Sequence, residues 1–222
     1  MSSEKPFDVV VWGATGHTGR LVAGQLARRE AGEGRLRWAI GGRSEERLES
    51  LRSHLATVDD RAAEVPILVG DSRDQASLDA LADQARVVCS TVGPFARHGS
   101  GLVRACVDRG AHYCDTTGEV GWVRQMIGAH HEDAAAGGLR IVPFCGVDSA
   151  PSDLGCLMLH DHFQRTCEGR LAEARCYVTD WRGRYSGGTY ASMIEGWSRL
   201  ARDPVARKEM MNPYSLNSGG HG

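Results

Sequence analysis

Apolar residues along the chain switch repeatedly between short continuous runs and helical spacing, and that alternation predicts the architecture. Phe7–Trp12 is an apolar run interrupted only by Asp8, the pattern of a buried strand. After a glycine-rich turn, Leu21, Val22, Leu26 and Ala27 recur at the spacing of an amphipathic helix. Further strands are expected at 36–40, 66–69, 87–90, 111–115 and 139–143. Helices are expected at 44–55, capped by Ser44, and at 78–85, 101–109 and 122–136, the last ended by Gly137 and Gly138. Strands alternating with helices predict an α/β fold, a Rossmann-type doubly wound parallel sheet over residues 1–150, with ligands at the carboxyl ends of its strands.

Beyond Pro151 the rhythm changes. Residues 152–163 and 190–201 have helical spacing, and 171–181 alternate like a half-exposed antiparallel strand. A lone strand cannot satisfy its own backbone. Residues 151–222 therefore read as the start of a mixed α/β second domain, for substrate or oligomerisation, whose other strands are missing or come from another copy. A homo-oligomer is expected, and residues 217–222 have no element pattern and should fray.

The turn after the first strand is Gly13-Ala14-Thr15-Gly16-His17-Thr18-Gly19. Strand, glycine turn and helix in that order build a phosphate site. Gly13 permits a sharp turn, Gly16 lets a pyrophosphate approach the backbone, and Gly19 allows close helix packing, while N–H groups of the first helical turn face the anion. The spacing GxxGxxG departs from GxGxxG, and a structural turn is the alternative. No Lys-Ser or Lys-Thr closes the run, so it is not a P-loop. Contacts to a dinucleotide are expected from Gly13, Thr15, Gly16, His17, Thr18 and Gly19.

Arg43 follows the second strand, where an NAD site usually carries an acid and an arginine instead pairs with a 2′-phosphate. It favours NADP(H) over NAD; a solvated arginine at a helix start is the alternative. Asp71 either edges the adenine pocket or caps a turn. Thr91 and Gly93, in Ser90-Thr91-Val92-Gly93-Pro94-Phe95, should run beneath the dinucleotide toward the nicotinamide. Phe95 either walls the pocket or lies in the core. Asp115 and Glu119 either handle substrate or a proton, or serve helix starts. No catalytic residue is assigned. There is no Tyr-x-x-x-Lys pair and no metal constellation, the histidines reading as surface or packing residues with His98 the exception. Cys145 is expected to be a small buried residue.

With 26 basic and 28 acidic residues in 222, no basic field invites nucleic acid. Seven scattered cysteines, none in a CxxC pair, fit reduced thiols and a cytoplasmic compartment. The start of the chain lacks a signal-peptide core and no run reaches membrane-span length, which leaves room for a peripheral membrane contact.

The segments VVWGATGHTGRLVAGQLA, WAIGGRS, STVGPFARHGSGLVRACVDRGAHYCDTTGE, VPFCGVDSAPSDLG and SGGTYASMIEGW together resemble the saccharopine dehydrogenase-like oxidoreductases. They resemble most the branch with trans-acting enoyl reductases of actinobacterial lipid synthesis and a eukaryotic relative associated with lipid droplets. The resemblance implies a nicotinamide cofactor on Gly13, Gly16, Gly19 and Arg43, and an NADPH-dependent enoyl or carbonyl reductase acting on a lipid-related small molecule, with membrane or lipid-droplet contact in keeping. Such proteins are usually much longer, so the chain is expected to stop within its second domain. A cofactor-binding module without a complete active site and a saccharopine-type amino-acid oxidoreductase are the alternatives.

Overall fold

The computed structural model describes residues 4–33, 36–180, 182–183, 186–212 and 214–217. Six strands, β1 (Phe7–Trp12), β2 (Trp38–Gly42), β3 (Ile67–Val69), β4 (Ala85–Ser90), β5 (His112–Asp115) and β6 (Ile141–Val142), form one sheet in the order β3-β2-β1-β4-β5-β6. Every pairing is parallel, with Val9 opposite Trp38 on one side and Val87 on the other. Parallel strands need crossovers, supplied by α1 (His17–Glu33), α2 (Glu45–Ala56), α3 (Gln75–Gln84), α4 (Phe95–His98), α5 (Ser100–Asp108) and α6 (Val120–Ala136). The order reverses between β1 and β4, which makes the carboxyl ends of those two strands the switch point of a doubly wound fold.

Alternate residues of β1 feed two cores. Val10 and Trp12 pack with Val88 and Tyr113 against Leu78, Leu102, Val103 and Trp122 of α3, α5 and α6. Val11 packs with Ile40 against Ala23 and Ala27 of α1 and Leu48, Leu51 and Leu55 of α2. Each fully buried leucine among them contributes roughly 1.5–3 kcal/mol. Leu21, expected on the apolar face of α1, points outward at 63% exposure, while Ala23 and Ala27, flanked by Val22 and Leu26, turn to the core.

The caps are local. Ser44 accepts from the Arg47 N–H and starts α2, as its position before a periodic run predicts. Gly138, at φ 63°, follows the end of α6. β1 lies where it is expected, β2 is shifted by two residues, β4 begins two residues early, and β3, β5 and β6 are shorter than expected. Three short elements had no sequence signal strong enough to read: the 3-10 turn Asp60–Glu64, α4, and the helix Pro204–Met211.

After β6 the described residues form helices only: α7 (Ala150–Thr166), α8 (Gly187–Arg202) and α9 (Pro204–Met211). The strand expected at 171–181 is absent over 171–180, Trp181 lying outside the described residues. Its alternating pattern has no neighbouring strand to pair with, and an unpaired extended segment gains no ladder hydrogen bonds. The tail returns to the first core, where the Arg124 guanidinium donates to the Ser215 carbonyl at 2.8 Å and Leu216 packs against buried residues. The expected fraying at 217–222 falls, beyond Asn217, outside the described residues.

Asp8 ties three strands at the opposite edge. Its carboxylate accepts from the Arg37 backbone N–H at 3.0 Å, from the Arg37 guanidinium at 3.3 Å and from Arg86 at 3.1 Å. The Arg37 side chain, then its backbone N–H, hold the Asp8 carboxyl down to about 2. A depressed carboxyl stabilises the fold above its unfolded value near 4, and that contribution disappears as pH falls through about 2. Asp8→Asn should therefore lower stability at pH 7 by roughly 1 kcal/mol, given solvent screening. Thermal melts at stepped pH should show the gap to wild type closing toward pH 2.

Candidate functional site at the switch point

The loop leaving β1 is pinned on both sides. Gly13 N–H and Ala14 N–H donate to the Gly41 carbonyl at 2.9 and 3.1 Å, and the Thr91 hydroxyl donates to the Trp12 and Gly13 carbonyls at 3.1 and 3.2 Å. Gly13 has φ 82°, and a Cβ there would sit 2.5 Å from Val92 Cγ2. At Gly19 a Cβ would lie 2.2 Å from the Gly13 carbonyl oxygen, so the first turn of α1 can rest on the loop only without a side chain. Gly16 is exposed, and a Cβ there would meet only the Gly13 carbonyl, at 3.2 Å. This leaves an open, side-chain-free shelf beside the N–H groups of the first turn of α1, where His17 is exposed and Thr18 half-buried.

Two residues that sequence reasoning missed stabilise this shelf. Arg20 Nε and Arg47 Nη2 both donate to the Thr15 carbonyl, at 3.2 and 3.3 Å. Thr15 thus contributes its carbonyl to loop shape, and no spacing in the sequence marks a guanidinium arriving from α2. Thr91 likewise spends its hydroxyl on the loop.

Arg43 leaves the end of β2, exposed, and hydrogen-bonds to no described residue. Asp71, after β3, takes the turn-capping alternative: Oδ1 accepts from the Arg73 N–H at 3.0 Å and Oδ2 from its guanidinium at 3.4 Å. Its carboxyl lies below the ordinary range chiefly through that backbone bond, with Arg43 adding a smaller field effect. A side-chain-free shelf and a free guanidinium at the next strand end suit a dinucleotide with a 2′-phosphate.

On the other side of the switch point, β4 runs into Thr91, Val92, Gly93 and a cis Pro94. Phe95 does not wall the pocket: it is 5% exposed and packs on Trp122 with ring centroids 5.7 Å apart. Glu119 holds this segment, its two carboxylate oxygens accepting from the Phe95 and Ala96 N–H groups at 2.8 Å each. The Ser192 hydroxyl of α8 donates to the same carboxylate at 2.8 Å, and Arg97 pairs with Glu195 one turn on. Helix α8 is therefore fastened to the β4–α4 loop. His98 closes α4 with its Nδ1 enclosed and without a hydrogen-bond partner among the described residues.

Asp115 is 1% exposed and faces the core rather than the cleft. It accepts from the Tyr113 hydroxyl at 2.7 Å, the Thr117 N–H at 3.0 Å and the Phe144 N–H at 3.3 Å. Burial pushes its carboxyl up and the three donors pull it back in part. Its task is to hold the loops after β5 and β6 together, Phe144 being bent to φ 61° in the process. Cys145 is exposed, against expectation: its N–H donates to the Asp115 carbonyl at 2.7 Å and its thiol to the Val142 carbonyl at 3.4 Å. Partial burial of its sulfur, then Cys114 and Asp115, raise the thiol, which opposes thiolate chemistry. Among the described residues no cluster could hold a metal ion. A cavity of about 390 Å³ lies at the opposite edge of the sheet, between Phe7, Trp38, Arg61 and Pro66, away from the glycine shelf.

Residues 9–142 match the model of the saccharopine dehydrogenase NADP binding domain. The chain belongs to that family. The family match makes NADP the cofactor of this domain, and the strand order and glycine shelf agree with it. Rv2449c of Mycobacterium tuberculosis, named as a trans-acting enoyl reductase, is 42% identical over 97% of this chain and 50% of its own length. The trans-acting enoyl reductase of Mycobacterium leprae is 39% identical over 98% of this chain and 51% of its own length. The chain thus spans about half the length of the curated relatives it matches. Saccharopine dehydrogenase (L-Glu forming) of Saccharomyces cerevisiae shares the fold, with a TM-score of 0.55 at 15% identity over 72% of this chain and 32% of that one.

Arg43→Ala should weaken NADPH binding by roughly 1.5–3 kcal/mol, about 10- to 150-fold, with NADH little changed, as read by nicotinamide fluorescence titration. Glu119→Ala strands two helix N–H groups and the Ser192 hydroxyl. It should cost roughly 1–3 kcal/mol in urea unfolding.

Proposed function

We propose that this chain is the NADPH-binding half of an oxidoreductase that reduces an activated carbon–carbon double bond of a lipid-related substrate. The supporting observation is the pairing of an NADP-binding domain with 37–42% identity, across nearly the whole chain, to proteins named trans-acting enoyl reductases. NADPH, when bound, supplies the hydride. The chain's own residues bind and orient. The backbone from Gly13 to Gly19 offers N–H groups to the pyrophosphate, Arg43 pairs with the 2′-phosphate, and the Gly93-Pro94 turn, held by Glu119, supports the nicotinamide end. Helix α8, fastened through Ser192 and Glu195, borders that end and limits water there.

A second reading, a module that binds cofactor without completing a reaction, is favoured by one fact: the chain covers only half of those relatives. The two are separated by titrating the chain with NADPH and NADH, then mixing the NADPH complex with a long-chain enoyl thioester in a single-turnover experiment. Preferential NADPH binding followed by stoichiometric oxidation supports the reductase. Binding without oxidation, under conditions in which the whole Mycobacterium leprae relative consumes NADPH, leaves the module. No helix among the described residues is long and apolar enough to cross a membrane.

A further inference from the structure

Cys89 and Cys114 serve none of the contacts around the glycine shelf, yet the sheet sets them side by side near its carboxyl edge. Val11 of β1, Cys89 of β4 and Cys114 of β5 lie opposite one another in the parallel ladder, one row across three strands. In-register partners of a parallel pair project from the same face, so the two thiols are neighbours there. Val11 is fully buried, whereas both cysteines are half-buried. Val142 of β6 continues the row beyond Cys114. Cys145 is the third thiol nearby, exposed and turned to the Val142 carbonyl.

The pair meets the geometric demands of a reversible disulfide. Neighbouring strands run about 4.8 Å apart, within the about 4.4–6.8 Å that separates the Cα atoms of bonded cysteines. The bond also needs its β-carbons at about 3.8 Å, closer than the strand spacing sets them, so it forms under tension and is readily reduced. The two sulfurs are not equivalent. The Cys114 S–H donates to Cys89, which lowers the Cys89 thiol, and the same contact together with burial raises that of Cys114. One sulfur is primed as a thiolate while the other keeps its proton, as in a redox dithiol. Val11 and Val142 flank the pair, and the Asp115 carboxyl adds a negative field at both sulfurs, which favours a neutral reagent over an anionic one.

We infer that Cys89 and Cys114 are a redox-active dithiol that a small, uncharged disulfide oxidises to a covalent bond between β4 and β5. The Cys89 thiolate attacks one sulfur of the reagent R–S–S–R, so that a bond forms from Cys89 Sγ to that sulfur and RS⁻ leaves. Cys114 then gives up its proton and attacks Cys89 Sγ, expelling the second RS⁻ and closing the disulfide. The two protein thiols lose two electrons, the reagent gains them, and the two protons end on two RSH. No step uses NADPH, so the site goes beyond the reductase reading and does not rest on it. Cys89 lies two residues before Thr91, which holds the glycine loop, and Cys114 adjoins Asp115, which holds the loops after β5 and β6. The new bond therefore ties the roots of both sides of the cleft.

The test treats the folded 222-residue chain with bis(2-hydroxyethyl) disulfide, blocks remaining thiols with N-ethylmaleimide in denaturant, and maps tryptic peptides by mass spectrometry. Cys89 and Cys114 fall in separate peptides, 87–97 and 110–124, each with one cysteine. These should appear joined, two hydrogens lighter than their sum, and come apart with dithiothreitol. In Cys114→Ser, Cys89 should instead keep one 2-hydroxyethylthio group. In Cys89→Ser, Cys114 should react about ten-fold more slowly than Cys89 does in the unaltered chain. The link in the unaltered chain decides the matter even where a variant fails to fold. Unlinked peptides while Cys167 and Cys176 are modified, Cys114 joined to Cys145, or the same set of links in folded and urea-unfolded chain overturns the inference. So does a link formed between two chains, seen as a dimer on a non-reducing gel, or a Cys114 that reacts as fast without Cys89.

Discussion

The adjacency of β1 and β4 is the constraint on which the rest of the structure hangs. Placing the fourth strand beside the first reverses the direction of the winding and opens a gap between the loops that leave them. Thr91 bridges that gap, its N–H and hydroxyl both reaching the Trp12 carbonyl and the hydroxyl also reaching that of Gly13. Because those carbonyls are held, Gly13 turns with positive φ, Gly19 meets the loop without a side chain, and the first turn of α1 points its N–H groups into the opening. Anion binding is then a property of backbone placement, with Arg43 adding the choice between two dinucleotides.

Two carboxylates do the corresponding work on the other half of the sheet, in different ways. Asp115 is sealed in the core and satisfied by a hydroxyl and two backbone N–H groups, which offset the cost of burying it. Glu119 lies nearer the surface and caps a helix too short to stabilise itself, while receiving Ser192 from a helix more than seventy residues later in the chain. Burial raises the carboxyl of the first, and the contacts of the second are all structural. Both residues position loops around the cleft, and neither presents a free oxygen to a substrate.

Much of the nucleotide-binding domain was legible because its signals are local. A parallel strand buried on both faces must be an apolar run, a crossover helix must show a stripe, and a phosphate turn must carry glycine where a side chain would collide. The family resemblance read from the motifs agrees with the match over residues 9–142. What the sequence left open or did not reveal shares one cause. Phe95 lies in the core because Trp122, twenty-seven residues on, packs against it. The roles of Thr15 and Thr91 were hidden because their partners, Arg47 and the β1 carbonyls, arrive from elsewhere in the chain.

Beyond residue 150 the balance shifts. An alternating pattern at 171–180 predicts a strand, but a strand exists only as one side of a ladder, and no described residue supplies the other. The apolar stripes of α7 and α8 were equally plain in the sequence, yet their meaning depends on what lies against them. By itself the sequence determined the order of elements in the nucleotide-binding domain, the glycine turn and the cofactor class, because each follows from spacing along a few residues. The tertiary structure alone decided which carboxylates are buried, which arginine stays free, and which apolar faces are left uncovered. Those depend on contacts between residues far apart in the chain, and such contacts leave no periodic trace in it.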